Sequence, residues 1–107
     1  MGYALALAAA LSLCAVAQPA SAQEGRIQRG RTFVQTNCAG CHAIGRVGES
    51  PLAIAPPFRT LHERYPVESL AEALAEGITT GHPTMPEFQL DPAQLNDVIA
   101  YLKSLNP

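Results

Sequence analysis

Apolar positions fall into two regimes along this chain. Tyr3 to Ala17 is a continuous apolar run broken only by Ser12. From Gln23 onward, apolar residues instead recur at helical spacing in three stretches, separated by segments rich in Gly and Pro. No convincing strand pattern and no internal repeat is present. The pattern predicts an all-α fold of three main helices and long loops.

The first helix is expected over about Glu24 to Asn37, where Ile27, Gly30, Phe33 and Val34 share a face. A Gly inside a helix costs roughly 1 kcal/mol relative to Ala, so Gly30 implies close packing by another element. The second helix covers about Val67 to Glu76. Leu70, Leu74 and Ile78 form its stripe, Glu68, Glu72 and Glu76 its opposite side, and Gly77 its stop. The last helix has the clearest start: Asp91 as N-cap, Pro92 at N1 and Gln94 at N3, with Leu90 and Leu95 as a hydrophobic staple. Leu95, Val98, Ile99, Leu102 and Leu105 then repeat at helical spacing, up to Asn106-Pro107. Between the first two helices, Ala43 to about Tyr65 reads as one long loop. Such loops are unusual unless they serve a site, and Ile54, Pro56, Pro57, Phe58 and Leu61 are its apolar contacts.

The N-terminal run is shorter than the ~20 apolar residues of a membrane span. It leads into Ala20-Ser21-Ala22, an A-x-A cleavage pattern. This predicts a signal peptide over residues 1–22 and a single mature domain over 23–107. No Lys or Arg precedes the run, so an uncleaved anchor is the alternative; a lipoprotein site at Cys14 is disfavoured by the bulky Leu13 before it. Export removes Cys14, leaving Cys38 and Cys41 with no partner cysteines for a disulfide framework. The alanine-rich leader looks bacterial, which places the mature chain in the periplasm. With a formal net charge of −2 there is no basic field for nucleic acid.

Those two cysteines carry the chemistry. Cys38-Ala39-Gly40-Cys41-His42 is a C-x-x-C-H pattern, the attachment site of a c-type haem. Positions i, i+3 and i+4 share one face of a helical turn. The two thiols can therefore add to a haem's vinyl groups while His42 offers nitrogen to the iron. A thioredoxin-like dithiol would need a strand before Cys38. Structural zinc would need four ligands, with only His42, His62 or His82 available to complete the set. A plain disulfide is the third alternative.

A second axial ligand is expected at Met85, the one Met left after export, in the segment Gly81-His82-Pro83-Thr84-Met85-Pro86-Glu87-Phe88. Its alternative role is a core gap-filler, which suits a Met on a helix stripe better than one in a Pro-punctuated loop. His82 competes as a ligand and would lower the potential. His62, flanked by charges, is expected to be exposed.

These residues resemble the small class I cytochromes c of bacteria. The likeness runs over nearly the whole mature chain. It rests on Gly30 and Phe33, the C-x-x-C-H pentapeptide, Thr84-Met85-Pro86, and the terminal Ile99-Ala100-Tyr101-Leu102-Lys103-Ser104-Leu105. The resemblance implies three main helices and long loops wrapped around one covalent haem c, held through Cys38 and Cys41 with His42 and Met85 on the iron. It implies packing of Gly30 and Phe33 against Tyr101 or Leu102. It also implies a hydrogen bond from His42 to the carbonyl of Pro56, although Ala55 stands where the family commonly has Gly. Arg46 and Arg59 are candidates for the haem propionates.

The function so implied is a periplasmic single-electron carrier and not an enzyme. Its expected partners are redox proteins, a dehydrogenase or an oxidase, and the cytochrome c maturation machinery. It is expected to be a monomer or a subunit of a hetero-complex. The alternatives are a subunit committed to one periplasmic dehydrogenase or oxidase, and an open-site haem enzyme or gas sensor.

Overall fold

The computed structural model describes residues 2–14, 19–77 and 84–107. Its elements are α1 (Pro19–Asn37), a 3₁₀ turn at Phe58–Thr60, a single turn α2 (Leu61–Arg64), α3 (Val67–Glu76) and α4 (Pro92–Ser104). Among the described residues there is no strand. Ile78 of the expected α3 stripe, the competing ligand His82 and the rest of residues 78–83 lie outside the described set.

Helix α1 starts five residues before the position expected from periodicity. Proline is favoured at a first helical position, and the residues after it continue the helix without needing a core. Ala20 to Glu24 are all exposed, and this first part of α1 runs through the Ala20-Ser21-Ala22 signal. Upstream, Tyr3, Leu5, Leu7, Leu11 and Leu13 are 87–96% exposed. No helix of the described residues is long and apolar enough to cross a membrane.

The core forms where α1 and α4 meet. Val34 is the most deeply buried side chain, 1% exposed, and is joined by Leu61, Val67, Leu90, Val98, Tyr101, Leu102 and Leu105. Burying one such aliphatic side chain contributes about 1.5–3 kcal/mol. The helix pair approaches most closely at Gly30. A Cβ built there would overlap the carbonyl oxygen of Asp97 and lie 2.8 Å from Tyr101 Cβ. The bidentate pair from Arg29 to Asp97, at 3.1 and 3.2 Å, ties the same crossing from outside.

Helix α4 begins with a full capping box. The Asp91 carboxylate accepts from Gln94 N at 2.8 Å, and the Gln94 side chain accepts from Asp91 N at 3.3 Å. Its other end is held by Arg46, whose Nη2 donates to Ser104 O at 2.6 Å. A cation here also complements the helix dipole. The Tyr101 hydroxyl donates to Ile44 O at 2.5 Å and anchors the loop that follows the cysteines. Helix α3 ends at Gly77, whose φ of 101° a side chain rarely adopts. Leu90 N then donates to Leu74 O at 2.9 Å, tying the chain ahead of α4 to α3.

The stretch from Ala43 to Tyr65 is not an unbroken loop: the 3₁₀ turn and α2 occupy its last third. Pro57 starts them. Its carbonyl accepts both Thr60 N at 3.0 Å and Thr60 Oγ1 at 2.8 Å.

Candidate functional site

The backbone of α1 does not release the chain at Asn37. Cys38 N and Ala39 N both donate to Val34 O, and Cys41 N and His42 N both donate to Cys38 O, at 2.8–3.2 Å. The five motif residues are thus wound as a turn continuing α1, which brings Cys38, Cys41 and His42 to one side. No disulfide joins the two cysteines. Burial pushes the Cys38 thiol up to about 11, and the neighbouring Cys41 adds to the rise. At neutral pH it is a protonated thiol.

Two adjoining cavities, of about 280 and 150 Å³, open beside this turn. Cys38, His42, Phe58, Met85 and Phe88 line both. Together they form one apolar slot. Its deeper part is walled by core residues including Val34, Leu61, Val98 and Leu102. Cys41 and Leu52 line the shallower part. Leu52 N donates to Cys41 O at 3.0 Å, which holds the loop over the second cysteine.

His42 is oriented from behind. Its Nδ1 lies 2.7 Å from Pro56 O, and the Phe58 ring lies 4.8 Å from its own. A carbonyl accepts only, so Nδ1 is the donor and Nε2 is left outside this bond. Ala55, in the place where Gly was expected, is 7% exposed and donates to Leu52 O at 2.9 Å. The extra methyl is accommodated in the interior.

Of the apolar loop residues, Pro56, Phe58 and Leu61 line the slot. Ile54 does not, being 60% exposed, and neither does Pro57. The arginines also differ from expectation. Arg46 and Arg59 line no part of the slot: Arg46 caps α4, and Arg59 faces a separate cleft. The charged side chain on the slot wall is Arg64, beside Tyr65, at the end of α2. Sequence reasoning missed both because their position depends on α2, a turn too short to show a period. His62 is half-buried and not exposed, with its Nδ1 atom fully enclosed.

The slot fits a haem: apolar walls, two thiols on one turn, an imidazole with one nitrogen engaged and the other free, and a thioether. The zinc alternative finds no support, since among the described residues no three His, Cys, Asp or Glu converge as a metal site.

Comparison with known proteins bears on the same residues. The family profile described as "Cytochrome c" matches residues 27–106. A cytochrome c-553-like protein of Synechocystis is 33% identical over 84 residues, covering 78% of this chain and 73% of the relative. Cytochrome c-552 of Bradyrhizobium diazoefficiens is 30% identical over 97 residues, 91% of each chain. Cytochrome c6 of a Nostoc species is 34% identical over 102 residues, covering 90% and 84%. No solved structure matches significantly.

Proposed function

Since the chain belongs to the cytochrome c family and its cofactor is haem c, we propose that it is an exported electron carrier whose iron is held by His42 and Met85. When bound, the haem iron supplies a one-electron couple between ferrous and ferric states. The protein's part is to hold, orient and enclose it.

Cys38 and Cys41 would fix the haem covalently, and His42 would present Nε2 to the iron. The Pro56 carbonyl keeps that imidazole in one tautomer and one orientation while making it a more basic ligand. Met85 is half-buried on the wall that His42 shares. With both positions filled, no site is left for substrate, which favours transfer over catalysis. Phe58, Phe88 and the core aliphatics exclude water from the slot. Arg64 and Tyr65 would face the haem carboxylates.

Residues 1–22 are read as the signal peptide and 23–107 as the domain, with attachment by the maturation machinery outside the bacterial inner membrane. The exposure of the leader's leucines and of the α1 segment around Ala22 supports this division. Mass spectrometry of the mature N-terminus tests it: Gln23 is expected.

The observation that carries the reading is that His42, with Nδ1 engaged by Pro56, and Met85 line one slot. An absorption spectrum of the purified protein with a Met85→Ala control tests it. Wild type should show the weak near-red band of iron–Met coordination, and Met85→Ala should lose it and bind carbon monoxide rapidly in the ferrous state. Survival of the band in the variant, or rapid carbon monoxide binding by wild type, would overturn the assignment.

A further inference from the structure

The Pro56 hydrogen bond holds the His42 imidazole at one atom. It settles which ring edge faces the carbonyl. It leaves the ring able to rock about the line from Nδ1 to Pro56 O. A second contact lies against the ring itself. The Phe58 and His42 ring centroids are 4.8 Å apart, with 41° between the two planes. Phe58 in turn is held firmly. Its N–H donates to Ala43 O at 2.9 Å, and Ala43 directly follows His42. Its carbonyl accepts from Leu61 N within the 3₁₀ turn, and its side chain packs on the buried core. Residues 42–43 and 56–58 are thus tied twice, by His42 Nδ1 to Pro56 O and by Phe58 N to Ala43 O. The Phe58 ring cannot retreat from His42 without straining the second of these ties.

We propose that Phe58 is a positioning residue for electron transfer: it fixes the tilt of the His42 plane, while Pro56 fixes its tautomer. The inference rests on His42 as an iron ligand. Tilted aromatic rings at this spacing attract one another through their quadrupoles as well as filling space. Phe58 therefore draws the imidazole to one plane rather than only blocking others. Groups behind a metal ligand act on the metal by orienting that ligand. The plane of an axial imidazole decides how the unpaired spin of ferric iron spreads over the haem ring, so the tilt is readable on the haem itself. Phe58 also lines both parts of the slot, which places it beside the haem as well as behind its ligand.

The test is proton NMR of the ferric holoprotein, where the haem methyl signals are spread by the unpaired spin. Phe58→Leu keeps apolar bulk and removes the ring, and it should reorder the methyl shifts. Phe58→Tyr keeps the ring and should restore the wild-type order. Ile54→Ala, at an exposed loop position outside the slot, should leave the order unchanged. A wild-type order in Phe58→Leu, or the same altered order in Phe58→Tyr and Phe58→Leu, would overturn the proposal. Should Phe58→Leu fail to take up haem, Phe58→Met is the second variant without a ring. The same reordering is expected there, and its absence counts against the role. The wild-type spectrum separates this failure from that of the ligand assignment. Without strongly shifted His42 ring protons, His42 is not on the iron and both readings fall. With them present and the methyl order indifferent to Phe58, the ligand stands and the positioning role alone is lost.

Discussion

His42 Nδ1 donates to Pro56 O across 2.7 Å, joining the motif turn to a loop residue fourteen positions on. The acceptor is a backbone atom, so its placement depends on the local chain and not on a side chain. Pro56→Ala frees φ at that point. The variant should lose about 0.4–1 kcal/mol through the unfolded chain's greater freedom. A looser acceptor makes His42 a less basic ligand, which disfavours the ferric state. Redox potentiometry should therefore find a higher potential than in wild type.

Arg64 is the charged side chain on the slot wall. A cation near the haem favours the reduced state, so Arg64→Gln should lower the potential. Its side chain is exposed, and exposed charge interactions are worth up to about 1 kcal/mol. For one electron that is about 40 mV at most. Arg59→Gln serves as the contrast, since Arg59 faces the other cleft, and should move the potential less.

Gly30 and Gly25 share α1 but not surroundings. A Cβ at Gly30 would run into the Asp97 backbone, which cannot rotate away, whereas at Gly25 it meets only the end of the Arg29 side chain at 3.3 Å. Gly30→Ala should cost about 1–3 kcal/mol or more by overpacking. Gly25→Ala should be neutral or gain up to about 1 kcal/mol from helix propensity. Urea unfolding of both holoproteins separates the two.

Burial raises the Tyr101 hydroxyl above its ordinary value of 10.0, against smaller opposing pulls from Arg31 and Arg46. Its folded pKa thus exceeds its unfolded one. The stability it contributes is fully present below about pH 10 and is lost as pH rises through the folded value. Tyr101→Phe removes the hydrogen bond to Ile44 and should cost about 1 kcal/mol at neutral pH. The gap between variant and wild type should narrow in urea titrations above pH 10.

What could be read from the residues was local or periodic. The Asp91–Gln94 box sits within one turn, and its sequence spacing is its geometry. Gly30 stood out because a helix interior tolerates Gly only for a reason, and the Asp97 backbone supplies that reason. The 3₁₀ turn and α2 were invisible because single turns carry no period. Which arginine borders the slot depends on the same turn: Arg64 lines it, and Arg59 lines a separate cleft. His62 looked solvated from its charged neighbours, yet a turn can bury one side chain and expose the next.

The crossing of α1 and α4 joins parts of the chain that lie far apart in the sequence, whereas the motif turn is held by near neighbours. Arg29 and Asp97 are separated by 68 positions, so the contact that completes the core joins the chain's two ends. Closing so long a loop is entropically costly and slow compared with winding a helix. The motif turn, built on α1 by neighbouring residues, can form long before α4 arrives. The cysteines thus sit on a short handle wound by local hydrogen bonds, which need no contact with α4. Residues of the last helix, Val98 and Leu102, close the far wall of the slot beside which those cysteines stand.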